Sequence, residues 1–211
     1  MKITLLTMDN LGPIQDFQWL PYTTLNDHYV DHHFLYHLFL IPFFLTLGPV
    51  LGIKLAAVFL ASGFICLFYT VLRQYQVRWP FIFACLLLFT NGFAFRLALS
   101  KAPAFSLLFL FGLFGLILKN KWKWLIPVSL LYVWAYGGFS LALILGAMYA
   151  GSVLIHTGLS KRALTTPVLW QAIRPGVAIT VGIGLDLIVN PAFPSNVFFY
   201  WEQLIQIGIV N

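Results

Sequence analysis

The stretch Ile53–Leu72, IKLAAVFLASGFICLFYTVL, decides the fold class. It carries a single charge, Lys54, and stops at Arg73. About 20 predominantly apolar residues in a helix cross the ~30 Å hydrocarbon core of a bilayer. Read outward, the pattern recurs in Pro80–Ser100, Pro103–Leu118, Trp124–Tyr136, Phe139–Ile155 and Pro175–Val189. The sequence therefore predicts an all-α, polytopic transmembrane helix bundle with about six spans plus interfacial helices. Trp124–Tyr136 is short, and must tilt little or extend through Trp122 and Lys123 into the headgroups.

Composition leads to the same class. The 211 residues are 61% hydrophobic and 9% charged, against roughly 45–50% and about 25% in a soluble domain. Twelve basic and 6 acidic side chains cannot coat a water-soluble body of this size. The 21 phenylalanines exclude a disordered chain. Cys66 and Cys85 both fall in apolar runs and are small hydrophobes rather than a disulfide framework. The net charge of +6 marks cytoplasmic loops in such a chain, not a nucleic-acid surface.

Those loops are Arg73–Arg78, Lys119–Lys123 and Lys161–Arg174, which alternate along the chain and share one side. They hold 8 of the 12 basic residues and no acid, so the positive-inside rule assigns that side to the cytoplasm. The expected location is the plasma (inner) membrane, as a multi-pass protein. Trp79, Trp122, Trp124, Trp170 and Trp201 lie near predicted helix ends, as interfacial anchors do. The other side receives Arg96, Lys101, Gly137-Gly138, an outer acidic segment with an interfacial helix (1–52) and an outer amphipathic segment (191–211), flanking the bundle at 53–190. His33–Leu47 is read as the interfacial helix, turned by Gly48-Pro49 into the first span. Counting it as a span would invert the charge argument. Residues 1–31 hold Asp9, Asp16, Asp27 and Asp31 against Lys2, and no export signal precedes them. The expectation is a piece of a longer protein, lacking an upstream spanning helix.

The densest polar cluster is Asp27-His28-Tyr29-Val30-Asp31-His32-His33, with His37 one turn on. At helical spacing Asp27 and Asp31 align, as do His28 and His32, and His33 and His37. Carboxylates and imidazoles so placed can hold a divalent metal ion, with Asp31, His33 and His37 as its ligands, or supply a general base. A solvated interfacial face is the plainer alternative. No Glu lies between the histidines, as a zinc-peptidase motif requires. Arg96 and Lys101 sit at an outer turn, where they snorkel or bind an anionic headgroup. Gly137-Gly138 permits a tight turn or a close backbone approach. Asp186 is an intramembrane acid, functional by default, or else an interfacial carboxylate or a partner for Lys54 or Arg96.

The order Trp19-Leu20-Pro21-Tyr22-Thr23-Thr24, Tyr29-Val30-Asp31-His32-His33-Phe34-Leu35, Arg96 through Pro103 and Trp134-Ala135-Tyr136-Gly137-Gly138-Phe139 resembles the type C (GT-C) fold of polytopic membrane glycosyltransferases. That group includes protein mannosyltransferases, aminoarabinose transferases and the catalytic subunit of oligosaccharyltransferase. Asp31-His32-His33 is similar to the Asp-His-His in an outer loop of some prokaryotic oligosaccharyltransferase-like proteins. The resemblance implies transfer of a sugar from a polyprenyl-phosphate donor on the outer face, in contact with membrane lipid. It makes Asp31 or Asp27 the acidic residue that acts as base or holds a metal; His32, His33, Gly137 and Asp186 are read from the sequence as supporting residues. It assigns Arg96 and Lys101 to the donor phosphate. The family's leading helix and the acid after it would precede residue 1, which makes Asp31 a second acidic site or the chain an inactive fragment. The alternatives are a transporter or lipid flippase, in which the same cluster relays protons or metal, and a non-catalytic membrane subunit.

Overall fold

A computed structural model describes residues 2–10, 29–99, 101–161, 163–203, 205 and 206. Among them the secondary structure is entirely helical. The elements are α1 (Lys2–Asn10), α2 (Phe34–Gln74), α3 (Pro80–Phe89), α4 (Asn91–Ala98), α5 (Ala102–Leu118), α6 (Trp122–Ala135), α7 (Ser140–Leu159), α8 (Thr166–Val189) and α9 (Ser195–Trp201). Three of them, α2, α7 and α8, are long and apolar enough to cross a membrane.

Helix α2 is not one rod. Gly48 takes φ 72° and ψ 166°, a backbone state that glycine adopts without steric cost, and Pro49 follows it. The arms 34–47 and 49–74 fold back on each other. A Cβ built on Gly52 would lie 2.6 Å from the Phe43 carbonyl oxygen, and the Phe39 and Phe59 rings are 6.2 Å apart. In a continuous helix residues 39 and 59 would be separated by about 30 Å. The second arm alone is about 39 Å long at 1.5 Å per residue.

The remaining runs depart from six straight spans. The run Pro80–Ala98 bends by 81° between α3 and α4. Thr90, Asn91 and Gly92 are poor helix formers in succession. The Thr90 hydroxyl also donates back to the Leu86 carbonyl at 3.2 Å, and Thr90 itself is extended. Counted as one span, the bent pair makes a fourth. Helix α5 has 17 residues and α6 has 14, about 25 and 21 Å, so neither reaches the length of a full span.

Packing fixes which ends lie together. Gly63 of the second α2 arm meets Leu108, and Gly115 meets Val71, so this arm and α5 run parallel. Helix α6 returns beside α5, α7 runs back down and α8 returns again. Lys101, Tyr136-Gly137 and Asn190 therefore gather at one end, and Arg73, Lys119–Lys123 and Lys161 at the other. Small residues allow the closest approaches. A Cβ on Gly146 would lie 3.0 Å from Gly176 Cα, joining α7 to α8. One on Gly182 would strike Ser129 and the Ile126 carbonyl of α6. Leu113, Leu125, Tyr132 and Ile179 centre one apolar core, and Leu40, Leu60, Phe64 and Leu97 the other, against which Leu5 and Met8 of α1 rest.

Candidate functional site

Asp31 precedes the first turn of α2 and ties it down. One carboxylate oxygen accepts the His33 amide N–H at 3.1 Å, where negative charge also suits the helix N-terminus. The other lies 2.7 Å from His37 Nδ1. Both residues are 8% exposed. In the tautomer with Nδ1–H donating to this carboxylate, Nε2 is the acceptor of the ring. Residues 31–33 form a turn rather than helix, so Asp31 meets His37 instead of following the helical register read in the sequence.

His33 stacks on Tyr136 at 5.4 Å, and His32 on Phe199 at 5.3 Å, with the two imidazoles 4.1 Å apart. Burial lowers both imidazoles below their ordinary range. His33 falls to about 4, with His32 as the next cause. Gly137 explains itself by contact: a Cβ there would lie 3.1 Å from His32 Cδ2. A cleft of about 320 Å³ opens beside this cluster, lined by His33, Tyr36, His37, Lys101, Pro103 and Tyr136 among others.

The structure thus brings Asp31, His32, His33, His37, Lys101 and Gly137 together. Arg96 is exposed on α4 and does not line the cleft; its neighbour Leu97 turns inward. Asp27 lies outside the described residues. Asp186 is fully buried in the last turn of α8. Its oxygens accept Asn190 Nδ2 at 3.3 Å each, rather than pairing with Lys54 or Arg96. The Tyr200 phenol is pushed up by burial and then by the charges of Asp186 and Asp31, so it stays protonated. Tyr36 and Tyr200 have no distinguishing signal in the sequence; each is one aromatic among many.

Among the described residues no three His, Cys, Asp or Glu side chains converge to hold a metal. The Asp31 oxygens are occupied by His37 and the His33 amide, and the His33 ring lies flat on Tyr136. The expected set Asp31, His33 and His37 does not form a metal-holding group. Comparison with family models, curated proteins and solved structures finds no significant match.

Proposed function

We propose that this chain is a multi-pass plasma-membrane protein that transfers a sugar from a polyprenyl-phosphate donor at the end bearing the cleft. The observation that carries the reading is the Asp31–His37 pair beside a cleft that Lys101 also lines. His37 Nε2 takes the proton of the acceptor hydroxyl, and Asp31 holds the ring and balances its charge. The acceptor oxygen bonds to the anomeric carbon as the carbon–oxygen bond to phosphate breaks. The polyprenyl phosphate leaves with the electron pair, and Lys101 stabilises it. An ammonium about 4 Å from that phosphate contributes about 4 kcal/mol at an effective dielectric of 20, nearly three decades of rate. General-base help adds about 10²–10⁴-fold. No step runs through a metal.

The test is sugar transfer from a lipid-linked donor by membranes containing the chain, comparing wild type with His37→Gln, Asp31→Asn and Lys101→Gln. Each variant is expected to lose at least about 100-fold. Full turnover by both His37→Gln and Lys101→Gln, at wild-type levels of folded protein, overturns the reading.

A further inference from the structure

The end opposite the cleft has the reverse polarity. No Asp or Glu occurs between Asp31 and Asp186, while Lys119, Lys121, Lys123 and Arg174 collect around the α5–α6 turn. Asn120 takes φ 56° in that turn, and the Lys121 amide closes onto the Leu116 carbonyl at 2.9 Å. Arg174 reaches across from α8: its Nη2 donates to Asn120 Oδ1, and its guanidinium lies 5.4 Å from the Trp122 ring centre. Lys123 Nζ is 5.8 Å from the same ring. Arg174 Nε is buried without a hydrogen-bond partner. Among the described residues none of these four cations is in an ion pair. Helix α6 begins here without a side-chain cap, so its first N–H groups add partial positive charge.

We propose that this turn binds the phosphate of an anionic phospholipid in the leaflet at the basic end. Four cations around one turn repel each other unless an anion joins them. The guanidinium, pinned by Asn120 and Trp122, offers a planar donor edge suited to a phosphate. Trp124 is 63% exposed beside it, an aromatic of the kind that marks headgroup depth, which favours a lipid over a free anion.

The experiment uses the full chain in a neutral detergent and measures binding of phosphatidylglycerol, phosphatidylcholine and glycerol phosphate by native mass spectrometry, with thermal unfolding alongside. Phosphatidylglycerol is expected to bind at least tenfold more tightly than phosphatidylcholine and to raise the Tm, and glycerol phosphate to do neither. Arg174→Gln with Lys121→Gln should weaken phosphatidylglycerol about 25-fold, at roughly fivefold per charge. Arg174→Lys should keep most of the affinity, and Arg78→Gln, a cation outside the turn, all of it. Equal binding of the two lipids, equal protection by glycerol phosphate, or an unchanged double variant overturns the proposal. Should the double variant not fold, wild type decides: 0.5 M salt must remove the preference for the anionic lipid.

Discussion

Replacing Gly52 by alanine tests the reversal in α2 on which the cleft depends. The added Cβ would sit 2.6 Å from the Phe43 carbonyl oxygen, 2.8 Å from its carbon and 3.2 Å from Phe44 Cδ1. Ordinary contact begins near 3.4 Å, so the first arm must retreat by about 0.8 Å. Two of the three obstacles are backbone and cannot swing aside. Overpacking of this kind costs about 1–3 kcal/mol, offset by the roughly 1 kcal/mol that alanine gains over glycine in a helix. The net is a loss of up to about 2 kcal/mol, or a Tm lower by about 4–8 °C at the overpacked limit for a chain of this size. Gly112→Ala is the control, because a Cβ there meets nothing within 4 Å; it should raise the Tm by about 2–4 °C. Thermal unfolding of both variants in one detergent gives the comparison. If Gly52→Ala is stabilised as much as Gly112→Ala, residues 43 and 52 do not touch and the folded-back arm is wrong.

Three further outcomes follow from the same contacts. Because His33 is held near 4 in the fold, the unfolded chain takes up a proton between about pH 6.5 and 4 that the folded chain refuses. Stability is full above that window and falls through it by at most about 3 kcal/mol; a Tm that is flat from pH 7 to 4 refutes the burial of His33. Tyr132→Phe breaks the 2.8 Å bond between Tyr132 and Ser106 and strands a buried hydroxyl, costing about 1–3 kcal/mol in thermal unfolding, while adding Ser106→Ala recovers part of it. Asp186→Ala removes the acceptor of Asn190 and should lower the Tm by a similar cost, whereas Asp186→Asn retains an acceptor and should lose less.

The helical class and the break at Gly48-Pro49 were legible because each rests on local chemistry: long apolar runs, and a glycine followed by a proline. The bend at Thr90 was also written locally, in Thr90-Asn91-Gly92, but the apolar residues on both sides mask it in a count of hydropathy. The site was legible as a cluster and not as a geometry. Helical spacing pairs His33 with His37, yet the turn at residues 31–33 delivers Asp31 to His37 instead. Lys101 and Arg96 look equivalent in the sequence. Only the extended backbone at Lys101 and the inward turn of Leu97 separate the residue that lines the cleft from the one that does not.

That separation bears on how the cleft manages its charge. Asp31 and Asp186 are both buried at this end, and the His33 amide, His37 and Asn190 hydrogen-bond to them. No lysine or arginine ion-pairs with either among the described residues. Lys101 is therefore not consumed by neutralising an acid, and its ammonium remains available to the cleft it lines. Had Arg96 or Lys101 paired with Asp31, His37 would share the carboxylate with that cation, and the cation would not be free for an anion in the cleft. Under the proposed transfer reaction, proton transfer and anion binding fall on different side chains, which the His37 and Lys101 substitutions measure separately.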